Sequence, residues 1–484
     1  MQNLATCLSL IKQHRIDIVK YCAFFLSFMG LVMMGLQGPH MLEFQTTMAQ
    51  SVWFHSLAQV GFCVVISTVF FYSWLALNAF RYRPIAAASD SDLPDLTVVV
   101  PAYNEGALVQ QTLRSLATGD YPAEKLQLIA VDDGSKDDTW HYIEAACREF
   151  PDQIMAIRQL KNGGKRRALY EGFRRATGTV LVTVDSDSIV ETDTLRNLVS
   201  PFVGDPDCGA VAGNVRVLNR DAIIPHMIDV SFVFGFEFIR SAQSVLRTVL
   251  CTPGALAAYR KDLVMNVLDE WLNQKFLGRE ANIGEDRAIT NLILRQGKSV
   301  LFQRNATVYT NVPVRYQDLC KMLIRWGRSN VRETIKMAGF VFGNFRDHHR
   351  ISARLLLAMQ CLWCAPSPVL FILMISLVVL FPLQFAIVSL GGGALWNTIS
   401  ALFYAHRYRS SDALWAYGYG VFHFCALAWI APYSLLTARR SGWLTREIKE
   451  RSPLHQGQTR KSIRIRQFAV VQKLRSAALG LSLW

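Results

Sequence analysis

Two stretches without a single Asp, Glu, Lys or Arg, 21–42 and 44–80, constrain this chain more than anything else in it. Each is longer than the roughly 20 apolar residues a helix needs to cross a ~30 Å hydrocarbon core. Both are therefore expected to be helices and to form a membrane hairpin. Lys12, Arg15 and Lys20 precede the first, Arg81 and Arg83 follow the second, and the residue between them is Glu43. Positive charge stays on the cytoplasmic side, which puts the N-terminus and everything after Arg81 in the cytoplasm. The first apolar run begins only near Tyr21 and no small-residue cleavage site follows it, so it does not read as a cleavable leader.

Half of the chain is apolar and 18% is charged. That is too apolar for a soluble multidomain protein and too charged for a pure membrane bundle. A soluble domain set between membrane spans satisfies both figures. The net charge of +14 reads as the positive-inside asymmetry, with a basic surface for anionic headgroups or nucleotide diphosphates as the other reading. No helix-turn-helix, zinc or RNA-binding pattern holds the basic residues, which argues against nucleic acid as a partner. The ten cysteines lack disulfide-like spacing. Cys361-Leu-Trp-Cys364 sits in a membrane-like stretch without a second pair and reads as packing, and the soluble part is expected to be cytosolic and reduced.

A polar linker with two prolines, 84–94, ends the first membrane region. Short β-branched runs follow at 96–100, 126–131 and 179–184, with helix-like segments near 107–118, 137–149 and 165–176. This alternation predicts a parallel sheet covered by helices on both faces, with functional loops at the carboxyl ends of its strands. From about residue 315 the chain becomes amphipathic and basic, and 317–337 predicts a helix lying at the membrane surface. Apolar segments follow at about 352–371, 372–404 and 412–437, interrupted by Pro366, Pro368, Pro382 and Gly391–Gly393. The tail, 438–484, is basic, and its last apolar run, 468–484, predicts an interfacial helix rather than a span. Arg460-Lys-Ser-Ile-Arg464 has the R-x-x-x-R form of some nucleotide-binding barrels, but too few residues remain to build one, and it reads as membrane-surface charge.

Several short words carry chemistry. Asp132-Asp133 ends a predicted strand before Gly-Ser. Carboxylates there can accept from a nucleobase edge and ribose, or simply cap a helix. Asp185-Ser-Asp187 follows the buried-strand pattern 180–184. Two carboxylates two residues apart suit a hard cation, Mg²⁺ or Mn²⁺, bridging to a diphosphate, or form an ordinary acidic turn. Asn162-Gly-Gly-Lys-Arg-Arg167 puts glycines and three cations at a helix start, a phosphate site or a solvated face, without the spacing of a Walker loop. Gly284-Glu-Asp-Arg287 opens a helix, where Asp286 is either a cap or a general base.

In their order these words resemble the membrane-integrated processive family 2 glycosyltransferases, closest to hyaluronan synthases and nodulation chitin-oligosaccharide synthases. The likeness covers 96–446. Further words are Val184-Asp-Ser-Asp-Ser188, Arg240-Ser-Ala-Gln-Ser244, Cys251 to Arg260, Gly284 to Asn291, Arg325 to Glu333 and Ser441-Gly-Trp-Leu-Thr-Arg446. The resemblance implies an α/β fold: a cytosolic Rossmann-like GT-A domain inserted between α-helical transmembrane segments of a multi-pass plasma (inner) membrane protein. It divides the chain into a hairpin (1–83), a catalytic domain (84–314), interface helices with the Arg-Trp motif (315–350), channel helices (351–437), and a gating loop with a basic tail (438–484). It implies a UDP-sugar donor, a growing polysaccharide acceptor, a lipid surround and Mg²⁺ or Mn²⁺. Asp132 and Asp133 would hold uridine. Lys165, Arg166 and Arg325 would sit near the diphosphate and Asp185 near the donor ribose and sugar. Asp187 would bind the metal and Asp286 would be the base. Trp326, Cys251 and Arg328 would meet the acceptor. Trp443, Thr445 and Arg446 would form the loop that closes over the donor.

Three departures stand out. Met322 replaces the Gln three before the family's Arg-Trp, Leu444 replaces the Gly of the gating loop, and Thr252-Pro-Gly-Ala255 stands where Ser/Cys-Gly-Pro is usual. The last leaves the sugar open, with UDP-N-acetylglucosamine the first choice and glucuronate a possible second donor. A non-processive transferase that loads a membrane lipid and a non-catalytic channel subunit are the rival readings. For the gating loop to reach a cytosolic site, an even number of spans must follow the catalytic domain, so one of the three apolar segments is expected to be interfacial or merged. Pro366 and Pro368 mark the first of the three as the one expected at the interface.

Overall fold

The computed structural model describes residues 2–36, 46 and 52–440. The gating-loop words at Trp443, Thr445 and Arg446, and the basic tail, lie outside the described residues. The described parts of both uncharged runs are helical, within Gln2–Leu36 and Val52–Arg81. Among the described residues three helical segments are long and apolar enough to cross a membrane: Ile16–Leu36, His55–Arg81 and Pro382–Tyr408. The count reaches five if two bent pairs, Arg350–Cys364 with Ser367–Leu380 and Ser411–Leu427 with Ile430–Leu436, are each one span. The apolar segment expected over 372–404 is in fact divided, because Pro382 opens a new helix after Phe381. Proline brings no N–H to an ongoing helix and clashes with the preceding turn, so it starts helices more readily than it continues them. The same chemistry breaks the chain at Pro366–Pro368, where the bend is 42°.

Between these helices lies a mixed sheet. Its strands are β1 (Leu96–Ala102), β2 (Leu126–Asp132), β3 (Ile154–Arg158), β4 (Val180–Val184), β5 (Ile189–Val190), β6 (Cys208–Val217), β7 (Leu256–Arg260) and β10 (Ser299–Thr310). A separate two-stranded ribbon pairs β8 (Lys275–Phe276) with β9 (Arg279–Glu280). Among the described residues the main sheet runs β3-β2-β1-β4-β7-β6-β10-β5. β1 to β4 are parallel, as expected, with helices at Leu108–Ala117, Thr139–Glu149 and Lys165–Arg175 between them. The expectation of a wholly parallel sheet fails at β7, which is antiparallel to both β4 and β6. After β6 the chain makes a long helical excursion, Ile223–Val245, and re-enters from the carboxyl end of β4. Leu256 consequently pairs with Val184, which delivers the 251–255 loop beside Asp185.

The core beneath the sheet is built from Val99, Ile129, Leu169, Phe173, Tyr259, Trp271 and Ile293. A second cluster joins Phe71 and Leu75 of the Val52–Arg81 helix to Ala242, Leu246, Met337 and Leu356. A third joins Val19 to Val230, Val233, Ala401 and Tyr404. The excursion helix thus takes part in both apolar clusters that reach the long helices. The linker is pinned as well. Tyr82 donates its hydroxyl to the Phe302 carbonyl at 2.8 Å, and Gln303 exchanges two 3.0 Å hydrogen bonds with the backbone of Ile85.

The tie between the Pro382–Tyr408 helix and the sheet is ionic and buried. Arg216 of β6 bonds Asp229 at 3.2 and 3.3 Å and lies 3.9 Å from Glu237. Asp229 also accepts from Tyr404 at 2.8 Å, and Glu237 accepts from Arg407 at 3.1 Å and from Tyr408. Removing one member of such a network strands its partners in a low-dielectric site, at about 3–5 kcal/mol. Glu237→Ala should therefore lower Tm in detergent sharply, with Glu237→Gln intermediate. Equal melting of wild type and Glu237→Ala would show that the network contributes nothing to holding the helix.

Candidate active site

The first aspartate pair stands at the carboxyl end of β2, fully buried. Asp132 accepts from the Ser135 N–H at 3.0 Å, and its second oxygen has no hydrogen bond, with Arg158 3.7 Å away. Asp133 uses both oxygens to hold a loop, accepting from the N–H groups of Gly163 at 2.7 Å and Gly164 at 2.9 Å. Gly134 is required between them and that loop. Its φ is +71°, and a Cβ there would lie 2.8 Å from the Asn162 nitrogen. The two words read separately along the sequence are thus one unit, in which the aspartate turn clamps the glycine turn.

That clamp sets the start of the Lys165–Arg175 helix. Lys165 is buried and bonds Asp185, with Glu285 at 3.4 Å on the other side. Burial by itself would lower the ammonium pKa, but Asp185 and Glu285 reverse this and push it above the ordinary lysine value. Gly254 makes the room, because a Cβ there would come within 2.5 Å of Nζ. Arg166 points elsewhere. It donates to the Trp271 carbonyl at 2.6 Å and to Gln274 at 3.1 Å, and its guanidinium lies 5.3 Å from the indole centroid. The structure therefore places Lys165 beside Asp185 and turns Arg166 into the Trp271 side of the core.

Asp286 lies in the first turn of the Glu285–Arg295 helix, two residues after Gly284. One oxygen accepts from the Arg287 N–H at 2.7 Å and the other meets the Cys251 thiol at 3.6 Å. Burial, and next the negative charge of Glu285, raise the Asp286 pKa above the usual carboxylate value. For Glu285 burial also pulls upward, but Lys165, then Arg325 and Arg166, bring it below the ordinary value. Two adjacent carboxylates are thereby driven apart, one held as a counter-ion and one left as the more basic, an arrangement suited to proton transfer. Burial and Asp286 also push the Cys251 thiol up, keeping it protonated and a donor.

The Tyr316–Val341 helix closes this side. Gly284 has φ +80°, and a Cβ on it would collide with the Ser329 side chain, so that helix packs directly on the turn before Asp286. Arg325 is near enough to influence both Glu285 and Asp286. Trp326 is 42% exposed with its ring 6.0 Å from that of Phe232. Arg328 is buried and bonds Thr437 at 3.0 Å, near Tyr433, so it faces the Ile430–Leu436 helix. Met322, three residues before Arg325, is buried. Sequence reasoning passed over Glu285 as a counter-ion, although the residue lay inside a quoted word. It also passed over Gly254 and Ser329, whose roles are purely spatial.

Asp185 and Asp187 stand partly exposed after β4, and Asp187 receives Ser188 and Thr310 hydroxyls at 3.4 Å. Among the described residues no group of three His, Cys, Asp or Glu could enclose a metal. Two hard carboxylates at a strand end nevertheless fit Mg²⁺ or Mn²⁺, which usually bind through one or two carboxylates and complete their shell with water and substrate phosphate.

Residues 94–329 match the Glycosyltransferase like family 2 model. A hyaluronan synthase from Streptococcus pyogenes is 28% identical over 410 residues, covering 82% of this chain and 93% of that protein. An N-acetylglucosaminyltransferase from Rhizobium meliloti is 33% identical over 244 residues, covering 50% of this chain and 57% of that one. Among solved structures, mannosyltransferase PcManGT from Pyrobaculum calidifontis, in complex with GDP-Man and Mn²⁺, superposes with a TM-score of 0.53 at 23% identity, covering 77% of this chain and 99% of that one. The mixed α/β sheet is of the GT-A-like kind. Residues 94–329 are a family 2 glycosyltransferase domain, and the chain that carries them is a glycosyltransferase.

Proposed function

We propose that this chain is an inverting, UDP-sugar-dependent β-glycosyltransferase that polymerises a polysaccharide processively and passes it through its own membrane helices. The observation that carries this reading is the meeting of Asp185, Lys165, Glu285 and Asp286 at the carboxyl end of β4, with Arg325-Trp326 on the helix packed over them. UDP-N-acetylglucosamine is the favoured donor and glucuronate a possible second. The likeness to a hyaluronan synthase over 82% of the chain supports a machine that includes the long helices as well as the catalytic sheet. The sheet domain is assigned to the cytosol of a bacterial cell, where UDP-sugars are made.

In this reading the uracil and ribose meet Asp132 and Asp133, and Asp187 would hold Mg²⁺ or Mn²⁺, which would supply charge neutralisation to a diphosphate. Lys165 and Arg325 supply fixed positive charge on the same side, with Arg446 and the Trp443–Thr445 segment assigned to closure. Trp326 offers an apolar face for the acceptor pyranose, with Cys251 assigned to the same side, whereas Arg328, two residues on, faces the Ile430–Leu436 helix instead. The acceptor hydroxyl oxygen attacks the anomeric carbon, the bond to the diphosphate oxygen breaks, and the hydroxyl proton passes to Asp286. A carboxylate whose pKa is raised suits that task, because a stronger base takes the proton more readily.

Purified protein incubated with a panel of UDP-sugars and Mg²⁺ tests the proposal. A long polymer is expected, whereas a single sugar added to lipid would favour a loading enzyme. Asp286→Asn should cut transfer by about 10²–10⁴-fold while UDP affinity stays near wild type. Residual synthesis within a few fold would reduce Asp286 to a helix cap.

The acid limb of the pH–rate profile follows protonation of Asp286. Since its pKa is raised, activity should fall on acidification at a pH above the ordinary ~3.9 of aspartate. Glu285→Gln removes the neighbouring negative charge and should shift that limb to lower pH, and a limb that stays in place would contradict the assignment.

Chelation should abolish synthesis, and Asp187→Ala should raise the Mn²⁺ concentration needed for half-activity. Full activity in excess chelator would remove the metal from the scheme.

A further inference from the structure

The excursion helix, Ile223–Val245, is not uniform along its length. Between Val233 and Ile239 it widens into a π-helical turn. Such turns are rare and occur frequently at functional sites, because the extra residue re-aims the side chains around it. Through the turn a stripe at every fourth residue, Phe232, Phe236 and Arg240, runs along one face. Phe232 lies against Trp326 and, 4.9 Å away, against Phe236. The Arg240 guanidinium lies over the Phe236 ring at 3.9 Å. The row therefore begins at the exposed indole and ends on a cation.

That cation stands beside the base. Arg240 interacts electrostatically with Cys251 first and Asp286 second, and the Cys251 thiol lies 3.6 Å from the Asp286 carboxylate. Burial pulls the guanidinium down to about 10, still protonated at neutral pH. Its NH1 is buried with no hydrogen-bond partner in the described structure. A buried charged donor left unsatisfied is costly, and native proteins seldom keep one without a use. The aromatic face beneath it steadies the guanidinium without occupying its in-plane donors.

We propose that Arg240 positions the acceptor. When the terminal sugar of the acceptor lies between Trp326 and Asp286, the Arg240 NH1 donates to one of its oxygens while Asp286 receives the proton of the attacking hydroxyl. Arg240 exchanges no proton and touches no leaving group. It fixes the sugar in the plane where its hydroxyl meets the base. The shared chemistry is an oxygen acceptor on a pyranose, either a neutral hydroxyl or amide oxygen or a uronate carboxylate. The assignment rests on the glycan-polymerising reading above.

The test uses the full chain in detergent, with the donor that wild type accepts and short oligosaccharides of N-acetylglucosamine or ending in glucuronate. Arg240→Gln should raise the acceptor KM roughly tenfold or more, with partial rescue in Arg240→Lys. UDP affinity and acceptor-free donor hydrolysis should stay within about twofold of wild type, a split that a general packing defect would not produce. A loss confined to the uronate-ended acceptor would identify a carboxylate as the partner, and an equal loss on both acceptors a neutral oxygen. An unchanged acceptor KM overturns the proposal. So does a parallel loss of hydrolysis and UDP affinity, or failure of both variants to fold, since either would make Arg240 structural. A wild-type chain that transfers no sugar from any nucleotide donor overturns the underlying reading and this proposal with it, whereas normal wild-type transfer with unaltered variants rejects Arg240 alone.

Discussion

A buried lysine ammonium between two carboxylates is the contact on which the site turns. Lys165 comes from the start of one helix, Asp185 from the end of β4, and Glu285 from the first turn of another helix. A buried cation is tolerated only where counter-charges and hydrogen bonds replace its water, so these elements are held to one arrangement. The glycine turn ahead of Lys165 is fixed by Asp133, and Gly254 leaves space for the ammonium. Glu285, once committed to Lys165, stays charged and raises its neighbour Asp286. One ion pair thus sets both the geometry of the site and the inequality of its two carboxylates.

The long helices are coupled to this assembly through a different kind of contact. Apolar clusters fasten the Val52–Arg81 helix and the Pro382–Tyr408 helix to the excursion helix, and a buried set of arginines, acids and tyrosines adds direction. Apolar burial is insensitive to angle, whereas hydrogen-bonded charges accept few alternatives. The side nearest the sheet is therefore held by the more specific interaction. The same excursion helix carries the aromatic stripe and Arg240, so the segment that anchors the long helices also faces the candidate acceptor side.

Much of this was legible along the chain. The two uncharged runs gave helices, and the β-branched runs gave β1, β2 and β4 with boundaries within about two residues. The strands Cys208–Val217 and Ser299–Thr310 were not expected. Cys208–Val217 carries Gly209, Gly213, Asn214 and Arg216, and Ser299–Thr310 carries Gln303, Arg304 and Asn305, residues that interrupt a β-branched pattern. Their side chains are instead consumed by ionic contacts, by the linker and by close helix packing. Residue type and spacing could place Asp132, Asp185 and Asp286 at element ends, but could not tell Lys165 from Arg166, adjacent cations with opposite directions.

What the sequence determined by itself follows from local and additive physics: which segments are apolar enough for hydrocarbon, where prolines break them, and which acids end a strand or open a helix. The tertiary structure alone decided that β7 runs backwards and so brings Gly254 to Lys165 and Asp185, and Cys251 to Asp286. It alone decided that Ser329 rests on Gly284, and that Glu285 rather than Asp286 is the counter-ion of Lys165. These are contacts between residues tens to more than a hundred positions apart. Each depends on the few ångströms left when several elements pack at once, a quantity that no local pattern encodes.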